Sequence, residues 1–348
     1  MRRRLLAGIV MRVPIAKLSP EIIGSQRRCP ALTHRDAIVI NAGVNAERDA
    51  VGTTVGENAP FSLRMPAEPR VPVLIAVPHA GRSYSPALLA AMREPALTAL
   101  KLEDRLADRL GHEIATQTGA PVLVAHAPRA LIDLNRAPED VDWGMIAGAG
   151  QPVRHSLANR RARSGLGLVP RRLAGIGEIW RGPLPMVELE RRIQEVHEPY
   201  HRALTGALQQ IRDQWGAALL LDLHSMPPLT PGHAQEPAAE FVLGDRFGTS
   251  CAGGIVDAGL ALLAGQGRVA ALNRPYAGGY VLDRHGAPRR GIHALQLEVC
   301  RSAYLDPQLT EPSARFPAMV RVLASFTRAL AAETARLGSG GRLPLAAE

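Results

Sequence analysis

The sequence is poor in aromatic residues and in lysine. Aromatic side chains make up 4% of its 348 residues, which argues against a surface that binds nucleic acid by stacking bases. Of the 41 basic residues only Lys17 and Lys101 are lysine, so arginine supplies almost all of the formal net charge of +9. This charge suggests anionic partners, but the arginines are scattered and no nucleic-acid-binding motif accompanies them. A basic nucleic-acid-binding protein is therefore only a remote alternative, and no nucleic-acid partner is predicted.

Cysteines and long apolar runs are also scarce. Cys29, Cys251 and Cys300 are too few and too far apart for a disulfide framework or a cysteine-based zinc site. No apolar run approaches the roughly 18 residues that a membrane span requires. The amino-terminal MRRRLLAGIVMRVP resembles a signal peptide for only a few residues, because Arg12 interrupts it. The sequence predicts a cytoplasmic protein with no membrane partner.

Periodicity divides the chain into three segments. Residues 1–58 lack a sustained pattern and are predicted to be an N-terminal extension of low order. Residues 59–337 are predicted to form a single domain, and residues 338–348 a flexible tail. With 46% hydrophobic and 21% charged residues the composition is that of a globular protein.

Short apolar runs alternate with longer helical patterns in the predicted domain. Strands are predicted at 71–78, 120–127, 131–134, 217–224, 241–244, 269–272 and 294–299, and helices at 86–110, 186–215 and 315–337. This alternation is typical of an α/β layered domain with a mostly parallel central sheet. In such sheets, functional side chains gather at the carboxyl ends of the strands.

Two histidines follow apolar strands. His79 comes after VPVLIAVP, and His224 comes after ALLLDL. A single strand-end histidine would more often be a structural residue. Two histidines in equivalent positions, one of them two residues after Asp222, instead favour a metal site.

Two further strands end in or contain chemically useful side chains. Asn135 and Arg136 follow the predicted strand 131–134, where a guanidinium could receive a substrate carboxylate. A surface ion pair is the alternative for Arg136. In strand 294–299, Gln296 and Glu298 share one face, opposite the apolar residues. A carboxylate in a buried strand is costly unless a function such as general-base catalysis needs it.

Several segments together resemble the N-formylglutamate amidohydrolase family, which is related to the zinc carboxypeptidases and aspartoacylases. The segments are VPHAGRSY (77–84), LEDRLADRL (102–110), LIDLNRAP (131–138), VHEPYH (196–201), LDLHSMPP (221–228), NRPYAGGY (273–280) and GIHALQLEVCRSAYLD (291–306). They occur in order over roughly residues 70–310. PHAGR, DLHSMP and LQLEVCR are a specific signal in combination, whereas each alone would be weak.

The resemblance implies a three-layer α/β/α fold of the zinc carboxypeptidase type, with a mixed, mostly parallel sheet and one Zn²⁺ at its carboxyl edge. His79 and His224 would be metal ligands. The carboxypeptidase relatives use His-x-x-Glu, but Arg82 stands at that fourth position here. The carboxylate ligand must therefore come from elsewhere, and Asp104 is our choice, with Glu103 as the alternative.

The resemblance also implies the other roles. Glu298 would be the general base, and Asn135 with Arg136 would hold the substrate carboxylate. Amide hydrolysis also needs stabilisation of the developing oxyanion, for which an arginine such as Arg82 is the candidate apart from the metal ion. The substrate would be a small anionic acyl-amino acid, with N-formyl-L-glutamate hydrolysed to formate and L-glutamate in histidine degradation. Relatives that remove other acyl groups keep the acyl group and the amino acid open, and the oligomeric state is not predicted.

Three features allow competing interpretations. HEPYH (197–201) matches the His-Glu-x-x-His motif of zinc proteases, but Pro199 is expected to break or kink the helix that this motif needs. Ser225 could be a nucleophile, although no Gly-x-Ser-x-Gly turn surrounds it. The arginine-rich stretch from Arg154 to Arg172 could be a solvated loop or a rim that binds carboxylates.

Overall fold

The computed structural model describes residues 59–148, 164–230 and 237–340. All of them belong to one compact unit, Ala50–Glu348. The predicted extension 1–58 lies outside the described residues, as does most of the predicted tail. The proposed domain limits therefore stay a prediction. Within the described ranges, no helix has the length and apolar character needed to cross a bilayer.

The central sheet has seven strands, and helices connect most of them. The strands are β1 (Phe61–Arg64), β2 (Val73–Val77), β3 (Val122–Ala125), β4 (Ala218–Met226), β5 (Phe241–Gly244), β6 (Ala270–Leu272) and β7 (Ile292–Cys300). The helices are α1 (Pro86–Ala91), α2 (Pro95–Leu102), α3 (Ala107–Thr118), α4 (Met186–Arg192), α5 (Glu198–Trp215), α6 (Gly253–Gly265), α7 (Tyr280–His285) and α8 (Phe316–Gly338). A π turn, Ile193–His197, joins α4 to α5. Two-residue strands pair Ile146–Ala147 with Leu184–Pro185 and Arg172–Leu173 with Gly177–Glu178, and single 3₁₀ turns span Trp143–Met145, Pro288–Arg290 and Arg301–Ala303.

The strand order is β1-β3-β2-β4-β7-β5-β6. Strands β3, β2, β4 and β7 run parallel to one another, whereas β1 pairs antiparallel with β3 and β5 pairs antiparallel with β7. Every residue of β2, β4 and β7 is buried, as expected for parallel strands that are covered on both faces.

Alternate residues of the strands separate the core into two layers. Val73, Ile75 and Val77 of β2 pack with α3, α6 and α8 on one face of the sheet. Leu74 and Ala76 pack with α5 and α7 on the other. Helices therefore cover both faces, which confirms the predicted three-layer α/β/α fold with a mixed, mostly parallel sheet. The period of two along each strand is the physical cause, since successive side chains point to opposite faces.

The prediction of one continuous helix over 86–110 is wrong. It is three helices, because Pro95 begins α2 and Leu106, at φ 59°, adopts the left-handed conformation before α3. The interruption leaves a loop at Glu103–Leu106, and this loop carries Asp104 to the edge of the sheet.

The predicted strand 131–134 is also wrong, since these residues form a loop after β3. The carboxylate of Asp133 accepts the backbone N–H of Asn135 over 2.8 Å. Such a local bond closes a turn and competes with a strand ladder. The amide of Asp133 donates to the carbonyl of Leu168 instead of to a neighbouring strand.

Candidate metal centre and active site

Two histidines lie side by side at the carboxyl edge of the sheet. His79 follows the end of β2, and His224 lies near the end of β4, the parallel neighbour of β2. Their ring centroids are 4.8 Å apart, and both side chains are buried. The sheet topology therefore brings together the two histidines that the sequence singled out.

Gly81 allows the segment after His79 to lie close to its neighbour. A Cβ at this position would collide with the backbone of His126 and Ala127. The amide of Ser83 also donates to the carbonyl of His126 over 3.0 Å. The glycine of PHAGR is thus required by close backbone approach.

Asp104 reaches the same point from the loop between α2 and α3. Its backbone N–H donates to the carbonyl of His79 over 2.9 Å. Its Oδ2 lies 3.1 Å from His224 Nδ1 and 3.8 Å from His79 Nδ1. Within the described residues, these three form the one group of histidine, cysteine or acidic side chains able to hold a metal ion, with ligand atoms within 4.8 Å of one another. We refer to His79, Asp104 and His224 as the metal group.

Glu103, the alternative ligand, is not part of the metal group. Its carboxylate pairs with Arg105 Nη1 at 2.7 Å. Its carbonyl accepts from Arg301, which also donates to Ser225 Oγ over 3.0 Å. Ser225 in turn donates to Asp104 Oδ1 over 3.1 Å. The hydroxyl of Ser225 therefore holds Asp104 in place and does not face a histidine base, as a nucleophile would.

Each histidine of the metal group has a buried carboxylate behind it. His79 Nε2 is 2.7 Å from Asp133 Oδ1, and His224 Nε2 is 2.9 Å from Asp222 Oδ2. An ionised carboxylate only accepts hydrogen bonds, so each Nε2 carries the proton and donates. This leaves Nδ1 of both rings directed at Asp104. Among the described residues, the buried Nδ1 of His79 has no hydrogen-bond partner.

Burial and charge act in opposite directions on the metal group. Burial, reinforced by the charge of Arg129, lowers the pKa of His79 to about 4. Burial also opposes the charge of His224, but the carboxylates of Asp222 and Asp104 outweigh it and raise the pKa of His224 well above its usual value. Burial alone would raise the pKa of Asp104, whereas its hydrogen bond to His224 holds that pKa below the ordinary range. The surroundings of His224 thus favour a positive charge.

These residues fit a divalent metal ion of the zinc type. Two neutral imidazole nitrogens and one carboxylate oxygen are the donor set of many catalytic zinc sites, which keep a further position open. A carboxylate behind each histidine is the usual arrangement for metal-ligating imidazoles. The unpartnered Nδ1 of His79 is the atom that a metal ion would satisfy.

Glu298 lies beside the metal group, on the adjacent strand. It stands opposite His224 in the register of β7 and β4. Its Oε1 accepts from Gln296 Nε2 over 2.9 Å. Burial raises the pKa of Glu298 to about 7, and the charge of His224 opposes part of this rise. A carboxylate with a pKa near neutrality suits proton transfer.

Asn135 and Arg136 line the same cavity, which has a volume of about 820 Å³. Asn135 Nδ2 lies 3.4 Å from Gln296 Oε1, and its Oδ1 accepts from the N–H of Val281 over 3.0 Å. Arg136 donates from Nε to the carbonyl of Leu166 over 2.9 Å. The structure thus brings both predicted substrate-binding residues to the cavity that contains the metal group and Glu298, although from a loop.

Arg82 is not brought to this cavity. Its guanidinium makes two hydrogen bonds to the carboxylate of Asp108, the shorter 2.6 Å long, and it is absent from the described cavity lining. Arg129, which the sequence analysis missed, does line the cavity and donates to Asp133 Oδ2 over 2.9 Å. Because Arg129 comes four residues after the end of β3, the same strand-end argument could have found it.

The HEPYH segment lies apart from the metal group. Pro199 does not break the helix, because the π turn Ile193–His197 precedes it and Pro199 lies in the first turn of α5, where no N–H is needed. His197 and His201 are fully buried, and both contact backbone carbonyls, whereas Glu198 is exposed. This geometry does not match a zinc-protease site, which needs both histidines and the glutamate at one metal ion.

The arginine-rich stretch can be described only at its end. Residues 154–163 lie outside the described residues. Arg171 pairs with Asp142 at 3.1 Å and with Glu178 at 3.0 Å, and Arg172 pairs with Glu178 at 3.5 Å. Neither arginine is part of the cavity lining that the structure describes.

Comparisons with known proteins agree with this arrangement. The model of the N-formylglutamate amidohydrolase family matches residues 71–305. A Pseudomonas aeruginosa protein named N-formylglutamate deformylase is 33% identical over 247 residues, covering 69% of this chain and 84% of that protein. A Pseudomonas putida protein of the same name is 33% identical over 244 residues, covering 70% and 84%. The crystal structure of N-formylglutamate amidohydrolase from Ralstonia eutropha JMP134 superposes with a TM-score of 0.67 at 30% identity, covering 82% of this chain and 99% of that one.

The fold and the site define an α/β amidohydrolase with a group of buried residues able to hold a metal ion. The chain belongs to the N-formylglutamate amidohydrolase family, and it is a hydrolase that acts on amide bonds. This confirms the resemblance that the sequence motifs carry.

Proposed function

We propose that this chain is a zinc-dependent hydrolase of N-acylated acidic amino acids that converts N-formyl-L-glutamate to formate and L-glutamate. The observation that carries the proposal is the metal group, with Glu298 beside it and Arg136 in the same cavity. The relatives named N-formylglutamate deformylase support this choice of substrate.

His79, His224 and Asp104 would hold the metal ion, with Asp133 and Asp222 fixing the two imidazole rings. Zinc in such a site supplies Lewis acidity, which lowers the pKa of water towards ~7 and polarises a carbonyl group. Asp104 would itself be fixed by its hydrogen bonds from Ser225 and from the backbone of the loop.

Glu298 would move the proton. As the oxygen of water bonds to the formyl carbon, the carboxylate of Glu298 accepts a proton from that water. It then returns a proton to the amide nitrogen as the carbon–nitrogen bond breaks, and the amine leaves. The pKa of about 7 suits both steps, because the group can accept and donate near neutral pH.

Two arginines would face the charges of the substrate. Arg136, with Asn135, would hold a substrate carboxylate through hydrogen bonds from its planar guanidinium. Arg129 lines the same cavity and would stabilise the negative charge that develops on the carbonyl oxygen, in place of Arg82.

A deacylase for larger acyl groups is a second candidate, and the cavity volume of about 820 Å³ favours it. The lining also includes the apolar side chains of Leu100, Leu173 and Leu309, which a longer acyl chain could contact.

The test is a metal analysis of the purified protein combined with an amine-release assay. The panel contains N-formyl, N-acetyl and N-succinyl derivatives of glutamate and aspartate. N-formyl-leucine, whose side chain is uncharged, is the control. We expect about one zinc per chain, chelator-sensitive activity, and the highest kcat/KM for N-formyl-L-glutamate. A higher value for the succinyl or acetyl compound would select the second candidate. Full activity after complete metal removal would contradict zinc dependence.

Arg136→Ala tests the carboxylate contact. The KM for N-formyl-L-glutamate should rise about 10- to 100-fold, because one or two charge-assisted hydrogen bonds are lost. The KM for N-formyl-leucine, which keeps only the α-carboxylate, is measured in the same variant, and comparing the two KM values shows which substrate carboxylate Arg136 contacts. An unchanged KM for both compounds would remove Arg136 from substrate binding.

A further inference from the structure

The two histidines of HEPYH are buried, yet the proposed reaction does not use them. His197 ends the π turn and His201 lies in the first turns of α5, and both are 0% exposed. Their ring centroids are 4.4 Å apart. Burying two imidazoles in this way is costly unless their polar atoms are paired.

Both histidines hold the loop that carries Asn135. His201 Nε2 lies 3.0 Å from the carbonyl oxygen of Leu134, and His197 Nε2 lies 2.9 Å from the carbonyl oxygen of Arg136. A carbonyl oxygen only accepts, so both Nε2 atoms carry the proton and donate. The two hydrogen bonds therefore fix the peptide groups on either side of the Asn135–Arg136 pair, those of Leu134 and Arg136.

His285 completes the arrangement from α7. Because His201 Nε2 donates to a carbonyl, its Nδ1 must accept, and the donor is His285 Nε2 at 2.9 Å. His285 Nδ1 lies 3.4 Å from the hydroxyl of Thr205. We refer to His197, His201 and His285 as the positioning cluster.

The other end of α7 is attached to Asn135 itself. The N–H of Val281 donates to Asn135 Oδ1 over 3.0 Å. A Cβ on Gly279 would lie 2.5 Å from that same oxygen, so the side chain of Asn135 occupies the space that glycine leaves free. Helix α7 thus fixes the side chain of Asn135, and the HEPYH segment fixes the backbone on either side of the Asn135–Arg136 pair.

The π turn fits this role. It inserts an extra residue into the helical ladder just before α5, and the four-residue spacing of His197 and His201 places both on the helix face that contacts the loop. Insertions of this kind are frequent at functional sites. Glu198, between the two histidines, is exposed and contributes nothing to the contact with the loop.

We infer that His197 and His201 are positioning residues, which hold the backbone on both sides of the Asn135–Arg136 pair so that these two residues are placed to bind the substrate carboxylate. The inference deepens the proposed function and rests on it for the substrate. The placement of the loop is a separate structural claim, which can be measured without substrate.

The kinetic test uses His201→Phe and His197→Leu, which remove the donors and keep apolar bulk. We expect the KM for N-formyl-L-glutamate to rise about 10- to 100-fold, since loss of an outer support commonly has effects of this size. The zinc content should be unchanged and kcat should fall much less than KM rises. His201→Gln should recover part of the KM, because its amide can place an N–H near the position of Nε2.

Two matched controls come from the same motif. Tyr200→Phe removes a buried hydroxyl that has no hydrogen-bond partner among the described residues, and Glu198→Gln removes an exposed charge. Both variants should retain the wild-type KM. If His201→Phe fails to fold, His197→Leu and His201→Gln carry the test.

Hydrogen–deuterium exchange separates this inference from the proposed function. Exchange in a peptide covering residues 131–138 should be faster in His201→Phe and His197→Leu than in Tyr200→Phe. If the wild type hydrolyses no acylated acidic amino acid but this exchange rises, the proposed function fails and the positioning role stands. In an active enzyme, unchanged exchange or an unchanged KM would overturn the inference, and so would loss of zinc from these variants.

Discussion

The metal group and the positioning cluster contain the same residue type, but they differ in what accepts the Nε2 protons. His79 and His224 donate to the carboxylates of Asp133 and Asp222. His197 and His201 donate to backbone carbonyls. A carboxylate carries a full negative charge and makes the opposite ring nitrogen a better ligand for a cation, whereas a carbonyl chiefly fixes the orientation of the ring.

The second ring nitrogens differ as well. In the metal group, Nδ1 of both rings faces Asp104. In the positioning cluster, Nδ1 of His201 is occupied by His285. Burial, together with the positive charges that protonated His197 and His285 would carry, holds the pKa of His201 far below its usual value, so this ring stays neutral. The comparison shows that His-Glu-x-x-His spacing is not sufficient for a metal site, which also requires available nitrogens and a nearby carboxylate.

The largest effect is expected at Glu298, beside the metal group, and it is compared with the effect at Glu198 of HEPYH. Glu298→Gln should lower kcat by about 10²- to 10⁴-fold, because the general base is lost. It should leave the zinc content unchanged, since Glu298 is not in the metal group. Glu198→Gln in HEPYH should have wild-type kinetics. Steady-state rates and metal analysis of both variants test this prediction. A large loss of kcat in Glu198→Gln, with wild-type kinetics in Glu298→Gln, would instead support a zinc-protease site at HEPYH.

A second comparison concerns the side chains that contact the imidazole rings of each region. Asp222→Asn should weaken zinc affinity about 10- to 100-fold, since the carboxylate that orients His224 is lost. Thr205→Val, which alters the group beside His285, should leave zinc affinity unchanged. Competition with a chelator of known affinity measures both variants. Equal affinities in Asp222→Asn and wild type would contradict the role assigned to Asp222.

The positioning cluster should make the fold sensitive to acid. Burial, with the charge of Arg284, lowers the pKa of His285 to about 3, whereas an unfolded chain binds a proton at about 6.5. Well above pH 6.5 the two states bind protons equally, and as the pH falls through 6.5 the unfolded state binds more. The free energy of unfolding should therefore fall as the pH drops from 6.5 towards 3, by up to about 1.4 kcal/mol per pH unit for each such histidine.

Urea unfolding at pH 7, 6 and 5 measures this slope. His285→Gln removes one of the titrating groups, so its free energy of unfolding should depend less steeply on pH than that of the wild type. Identical slopes in the two proteins would show that His285 does not stay neutral in the folded state.

The smallest effect is expected outside both regions. Arg82→Ala should change kcat/KM by no more than about twofold, because the ion pair of Arg82 with Asp108 lies at a part-exposed position away from the cavity lining. A loss above about tenfold would return Arg82 to the oxyanion role predicted from the sequence.

The layered fold and the meeting of His79 with His224 could be predicted from the sequence. The apolar runs of β2 and β4 are strong patterns, and adjacent parallel strands end at the same edge of the sheet. The choice of Asp104 over Glu103 came from the resemblance alone. Which of the two carboxylates reaches the histidines depends on the break at Leu106, whose left-handed conformation no local pattern indicated.

Other parts of the site depend on contacts between distant segments. The apolar residues of 131–134 predict a strand, but the side chain of Asp133 and the carbonyl of Leu168 make a loop there. Arg82 follows His79 closely in the chain, yet Asp108 in α3 draws it away from the cavity. The π turn that accommodates Pro199 likewise forms where the helix packs against the rest of the domain. Sequence periodicity carries no signal for any of these contacts.

The most direct test of the central claim is a crystal structure of the zinc-loaded protein, with anomalous diffraction data collected on both sides of the zinc absorption edge. We expect one strong anomalous peak bounded by Nδ1 of His79, Nδ1 of His224 and the carboxylate of Asp104, with no peak at His197 or His201. A peak between the HEPYH histidines, or zinc bound without contact to His79 and His224, would contradict it.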